Sequence, residues 1–197
     1  LEGRDPRRLG GPPDLGHTLS TLYNPLVQRL RALAKPVVCA VNGVAAGAGA
    51  NIVFGCDIVL AATTAKFVQS FAKVGLIPDA GGTYHLAQIL GPLRAKAWAM
   101  TAAPITAQTA QDWGLVWQCF EPGALLEAAQ QMTADLAKGA TLGLAQTKHA
   151  IHKAGQIDLE AHMALEAEIQ RTCGQSADYL EGVTAFLDKR PAKYSGS

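Results

Sequence analysis

One carboxylate and one run of small residues carry most of the chemistry in this sequence. Asp79 lies in Gly75-Leu76-Ile77-Pro78-Asp79-Ala80-Gly81-Gly82, a turn between a proline and two glycines, at the mouth of a helix predicted from residue 83. A carboxylate there caps the helix through its first-turn N–H groups. Alternatively, with its pKa tuned by burial, it takes a proton from one carbon and returns it elsewhere. Upstream, Val44-Ala45-Ala46-Gly47-Ala48-Gly49-Ala50 has no bulky side chain, so a ligand can approach its backbone closely. A helix starting there presents unpaired N–H groups and a positive dipole end, which suit an anionic oxygen. Close packing of a strand-to-helix turn is the plainer alternative. No Lys-Ser/Thr pair follows the glycines, so the run is not a phosphate loop.

These groups need elements to hold them. Residues 37–41 form a short β-branched run bounded by Pro36 and Asn42-Gly43, and residues 57–62 form a second; both read as buried strands. Leu19, Leu22, Leu26, Leu30 and Leu33 recur at helical spacing over residues 18–34, with Pro25 early in that helix or kinking it. After the Asp79 turn, residues 83–90 read as a helix stopped by Gly91-Pro92 and resumed over 93–100. A short helix over 106–113 and a strand over 115–120 follow, and helices alone lie beyond Gly123: 124–137, 142–154, 158–173 and 176–189.

With 49% hydrophobic and 17% charged residues among 197, the chain is a compact folded protein, not a disordered one. A net charge of +1 argues against nucleic-acid or membrane-surface partners. The four cysteines show no metal or CxxC spacing; Cys39 and Cys56 sit in apolar runs as small core residues, which suits a reducing, cytoplasmic setting. His149-x-x-His152 has metal spacing but no accompanying carboxylate or thiol, so no metal is expected; His17, His85 and His162 add none. No apolar run reaches membrane-spanning length.

Several pieces occur together in a distinctive order: Lys35-Pro36, Ala40-Val41-Asn42-Gly43, Ala46-Gly47-Ala48-Gly49, Cys56-Asp57-Ile58, Ala65-Lys66-Phe67, Gly75-Leu76-Ile77-Pro78 and Ala80-Gly81-Gly82-Thr83. With Ser176-Ala177-Asp178-Tyr179-Leu180-Glu181-Gly182 and Ala185-Phe186-Leu187-Asp188-Lys189-Arg190, this pattern resembles the crotonase (enoyl-CoA hydratase/isomerase) superfamily over nearly the whole chain. The resemblance implies an α/β fold: a spiral core of ββα turns over residues 1–122, and a helical region over 123–197 for core capping and trimerisation. It implies an acyl-CoA substrate, no separate cofactor because coenzyme A is part of the substrate, and a homotrimer or dimer of trimers. It also places an Ala-Gly-x-Asp-Leu motif before this stretch, supplying one of two oxyanion-hole N–H groups; Leu1 matches its last residue, and no initiator Met precedes it. Half of the oxyanion hole is therefore expected outside this sequence. The Gly- and Pro-rich residues 3–17, with Arg4, Arg7 and Arg8, match a flap near the coenzyme A phosphates, or else a solvated loop.

The same resemblance assigns roles. Ala48 supplies an oxyanion N–H, flanked by Gly47 and Gly49. The two glutamates of the family's hydratases fall on Asn51 and Phe71, which cannot transfer protons, so water addition by that pair is ruled out. Asp79 falls where several isomerases carry a single catalytic carboxylate. Tyr23-Asn24-Pro25-Leu26-Val27 and residues 42–50, 77–83 and 176–182 narrow the likeness to isomerases of a ring-epoxide acyl-CoA, with a 3,4- to 2,3-enoyl shift as related chemistry. Asn51, Phe67, Phe71 and Tyr84 are expected on the substrate side, with ordinary core as the alternative for the aromatics. Lys189 is expected either at coenzyme A or, with Arg190, as a helix-end charge pair. Thioester hydrolysis, dehalogenation, or acyl-CoA binding without catalysis are the competing readings.

Overall fold

The computed structural model describes residues 9–197. Leu1, Arg4, Arg7 and Arg8, and with them residues 3–8 of the expected flap, lie outside the described residues. Within 3–17, helix α1 (Leu15–Thr18) starts earlier than expected, because Asp14 caps it by accepting from His17 N–H at 2.8 Å. A π-helical turn (Leu19–Tyr23) then leads into α2 (Asn24–Ala32). Pro25 lies in the first turn of α2, directly after the π turn, and interrupts the hydrogen-bond ladder there because it has no N–H. The wider π turn relieves the clash that a proline ring makes with the preceding turn.

Two three-stranded sheets follow one another up a spiral. The first is β1 (Val38–Val41), β3 (Ile58–Ala62) and β6 (Gln118–Phe120), all parallel in the order β1-β3-β6. The second is β2 (Val44–Ala46), β4 (Lys66–Val68) and β5 (Ile105–Thr106), with β4–β5 antiparallel. Two strands of the first sheet turn a corner into the second: Asn42-Gly43 joins β1 to β2, and Thr63-Thr64-Ala65 joins β3 to β4. Helices α3 (Ala48–Phe54) and α4 (Gly82–Thr101) complete successive ββα turns, and α5 (Ala107–Asp112) connects β5 to β6. This is the repeated unit expected from the sequence. The turns stack closely because Ala50, Ala61, Ala62, Ala107 and Ala110 are fully buried small residues.

Three strands escaped the sequence reading: β2, β4 and the two-residue β5. β2 and β4 have three residues each, too few for an alternation signal, yet they pair in register Val44↔Lys66 to Ala46↔Val68. The strand expected over 115–120 is shorter at its start. Leu115 and Val116 are buried, but both their N–H groups donate to Ala110 O, making a turn before Trp117 N–H meets Val59 O at 2.8 Å. Gly91 breaks α4 with φ 70° and ψ 161°, ahead of Pro92, as the dipeptide predicts.

Helices alone follow β6: α6 (Leu125–Ala137), α7 (Thr141–Lys153), α8 (Leu159–Gly174) and α9 (Ala177–Leu187). α6 lies on β1, β3 and β6, burying Leu125 and Ala129; losing Leu125 to alanine would remove about 2–5 kcal/mol. Asp158 and Ser176 cap α8 and α9 through Ala161 N–H and Tyr179 N–H. No helix among the described residues is long and apolar enough to cross a membrane.

Candidate active site

The site is assembled where α3 begins and where the turn before α4 passes it. Gly47 precedes α3 with φ 55° and ψ −129°, a conformation that glycine adopts without strain. Its N–H donates to Val68 O at 2.9 Å, anchoring the turn to β4. A Cβ on Gly47 would lie 3.4 Å from Ser70 Oγ and 3.6 Å from the Phe71 ring. The ring of Phe71, itself 7% exposed, therefore forms one wall of this turn. The Gly47 carbonyl accepts from Asn51 N–H at 3.1 Å, so the N–H groups of Ala48, Gly49 and Ala50 precede the helix's own hydrogen-bond ladder. Ala48 is half-buried and Gly49 exposed, which leaves this helix end open.

The Asp79 turn is held from within and from below. Gly82 N–H donates to Asp79 O at 2.8 Å, while Ala80 and Gly81 are left-handed at φ 49° and 79°. For alanine that conformation costs about 1 kcal/mol. Asp79 is half-buried, and it does not cap α4: the N-cap is Gly81, which has no side chain to offer. From below, Asn51 Nδ2 donates to Asp79 O at 2.8 Å, and Asn51 Oδ1 accepts from Gln69 Nε2 at 2.8 Å. Both amides are fully buried. A Cβ on Gly82 would fall 2.2 Å from Asn51 Nδ2, so the second glycine exists to admit that amide.

Three expected site residues are relocated: Asn51, Phe67 and Tyr84. Asn51 is enclosed beneath the turn with its amide spent on Gln69 and Asp79, so it is a support instead of a substrate contact. Phe67 is core: it faces inward from β4 and packs on Phe54 at 5.5 Å between ring centroids. Tyr84 points elsewhere, its ring under the Arg31 guanidinium at 5.4 Å and its hydroxyl accepting from Gln156 Nε2 at 3.0 Å. Lys189 is exposed at the end of α9 with φ 55°, and its neighbour Arg190 pairs with Glu181 at 2.8 Å, holding that carboxyl well below its ordinary pKa. Of the aromatics, Phe71 remains beside the helix start.

Sequence reasoning missed Gln69 and His85. Nothing in the residues around Gln69 marks it, since its partner Asn51 is brought near only by the β2–β4 pairing. His85 lies in the first turn of α4 and is 6% exposed; its Nε2 lies 3.1 Å from where a Cβ on Gly81 would stand. Burial, then the charges of Arg31 and His152, push its pKa down to about 4, so a neutral imidazole backs the Asp79 turn. Beside the turn, an apolar groove of about 340 Å³ runs between Leu76, Ile77 and Pro78 on one side and Leu86, Ala95 and Met100 on the other. No group of three or more metal-ligating side chains forms among the described residues.

Chemically, the arrangement seats the turn that carries one carboxylate on α3 through the Asp79 backbone carbonyl. The N–H groups can hold oxygen charge that develops on a carbonyl, and a single carboxylate can move a proton from one carbon to another. It has no second carboxylate at Asn51 or Phe71 to activate water.

Comparison with known proteins bears on which chemistry this is. The family model described as enoyl-CoA hydratase/isomerase matches residues 9–197. The chain is 47% identical over 196 residues to the 1,2-epoxyphenylacetyl-CoA isomerase of Escherichia coli K12, spanning 100% of this chain and 75% of that protein. It is 43% identical over 174 residues to a probable enoyl-CoA hydratase of Rhodobacter capsulatus, spanning 88% of this chain and 68% of the relative. The crystal structure of an enoyl-CoA hydratase from Polaromonas sp. JS666 matches with a TM-score of 0.92 at 34% identity, covering 99% of this chain and 76% of that one.

Proposed function

We propose, for a chain that belongs to the enoyl-CoA hydratase/isomerase family, that it isomerises an acyl-CoA thioester with Asp79 as the single proton-transferring group. The observation that carries this reading is the bond from the Asn51 amide that seats the Asp79 turn on α3; the family resemblance puts Asn51 and Phe71 at the two hydratase glutamate positions, and neither can transfer a proton. In this mechanism the thioester oxygen accepts from Ala48 N–H, with the second donor supplied by the family's preceding Ala-Gly-x-Asp-Leu motif. Asp79 removes the α-proton, and the resulting enolate is held by the two N–H groups. The same carboxyl then gives the proton back at another carbon. Substrate and product are isomers, so no water and no second acid are required.

The proposed substrate is 1,2-epoxyphenylacetyl-CoA, on which the Escherichia coli relative is named to act. Breaking the ring C–C bond that the epoxide oxygen bridges expands the ring to an oxepin, and moving the α-proton to a ring carbon keeps product and substrate isomeric. A 3,4- to 2,3-enoyl-CoA shift is the same proton transfer on a simpler carbon chain. Phe71 against the Gly47 turn offers an apolar wall to the acyl group, and Lys189 is assigned to coenzyme A across a subunit boundary.

The deciding experiment is Asp79→Asn in the complete protein. As the proton shuttle, Asp79 should be worth about 10²–10⁴-fold in turnover, with acyl-CoA affinity and folding nearly unchanged. Near-normal isomerisation by the variant would end this mechanism. Hydration of enoyl-CoA by the unmodified protein at a rate above isomerisation would overturn the reaction class.

A further inference from the structure

We infer that Asn51 and Gln69 are positioning residues, a buried amide pair that fixes Asp79 against the first turn of α3. The inference rests on the isomerase reading of Asp79 and adds what holds that carboxylate in register with the anion-binding N–H groups.

Placement within the helix comes first. Asn51 stands one helical turn after Ala48, so the N–H proposed to hold the thioester oxygen and the amide that grips Asp79 belong to one rigid element. The orientation of both amides is then determined. Asp79 O can only accept, so the group facing it must be Asn51 Nδ2; Asn51 Oδ1 is left toward Gln69, whose facing group must be Nε2. The chain thus reads Gln69 to Asn51 to Asp79, with no alternative assignment that leaves each contact a donor–acceptor pair.

The turn it grips would not hold its own shape well. Two successive left-handed residues, one of them alanine, lie between Asp79 and α4, closed by one internal bond from Gly82 N–H. Removing Asn51 would take the side-chain donor from the Asp79 carbonyl in a part-buried place, leaving it the Gly82 N–H. The space is also committed: the place of a Cβ on Gly82 is filled by the Asn51 amide. A displacement of the carboxylate by about 1 Å is enough to lower turnover about 10²-fold without changing what the rest of the site binds.

The test uses the complete protein and the double variant Asn51→Leu/Gln69→Leu, which replaces both partners with apolar groups of similar size. Such a swap tends to be near neutral for folding. Expected are a kcat lower by about 10²-fold per folded site and a KM for the acyl-CoA within about 3-fold of normal. Gln69→Leu alone, which leaves Asn51 in reach of Asp79 but unbraced, should fall between the two. A folded double variant with normal kcat overturns the inference. If the double variant fails to fold, Asn51→Leu alone, which removes the donor to Asp79 and adds no titratable group, is read the same way: normal kcat overturns it. Asp79→Asn is run alongside. Lost turnover there with normal turnover in the Asn51 variants sinks the positioning role alone, whereas normal turnover in Asp79→Asn sinks both.

Discussion

Lys148 Nζ lies 2.8 Å from Asp57 Oδ2, joining α7 to the residue that opens β3. The same ammonium donates to Leu30 O at 2.8 Å and Lys35 O at 3.2 Å, closing the C-terminal end of α2. Asp57 in turn accepts from Val37 N–H at 2.8 Å, just before β1. One buried cation therefore ties the helical region to the start of the spiral. Lys148→Met should destabilise the fold by about 3–5 kcal/mol, because it strands a partly buried carboxylate and two carbonyls. Equilibrium urea unfolding checks this, and a loss below about 1 kcal/mol would show the contact to be incidental.

His85 gives the fold an acid-sensitive point. Its pKa falls from an ordinary 6.5 to about 4 in the folded state, so between those values the unfolded chain binds a proton that the folded one refuses. Stability is then complete above about pH 6.5 and declines as pH falls toward 4, by up to about 3 kcal/mol. The groups facing it act together: Arg31 and His152 repel a proton on His85, and His152 is itself pushed down by burial and Arg31. Thermal melts across this range should show the decline, and His85→Gln should flatten it. An unchanged pH slope in that variant would place the effect elsewhere.

The elements that carry their own signal were legible in the sequence. β1 and β3 are β-branched runs, α8 and α9 announce themselves by Asp158 and Ser176, and the kink in α4 is written as Gly91-Pro92. The helix start at Ala48 and the turn around Asp79 were also readable. The Asn51–Gln69 support was not, because those residues are 18 apart and Asn51 and Asp79 are 28 apart. Side-chain pairs at such separations leave no local pattern. Phe67 and Phe71 show the same limit: similar residues four positions apart end in the core and at the site, decided by a three-residue strand followed by a 3₁₀ turn, Ser70–Val74.

α8 and α9 leave much apolar surface uncovered. Leu180, Phe186 and Leu187 are 68%, 82% and 72% exposed, and Leu159 and Met163 add to the surface from α8. A lone chain would carry a patch of this kind at a cost in solubility. The expectation is an oligomer built through residues 139–197, with the trimer implied by the family resemblance as its unit. Sedimentation of the complete protein at micromolar concentration should show no stable monomer. A Phe186→Glu/Leu187→Glu pair should shift the distribution toward smaller species; an unmoved distribution would put the interface elsewhere.

Two glycines should respond to alanine in opposite ways. Gly49 lies within α3 with nothing within 4 Å of an added Cβ, so Gly49→Ala should raise stability by about 0.5–1 kcal/mol through the helix backbone. Its methyl would also stand at the open helix start, so the proposed reading requires a higher KM for acyl-CoA. Gly82→Ala places the methyl 2.2 Å from Asn51 Nδ2 and 2.3 Å from Asn51 Cγ, a clash that only movement of the amide or the turn can relieve. That variant should lose stability by about 1–3 kcal/mol and, in the protein that remains folded, lose kcat with little change in KM. The two measurements separate the elements: binding is expected to follow the start of α3, and turnover the bond between Asn51 and Asp79. If Gly82→Ala raised KM while sparing kcat, the Asp79 turn would belong to substrate binding, and the proton would have to move through another group.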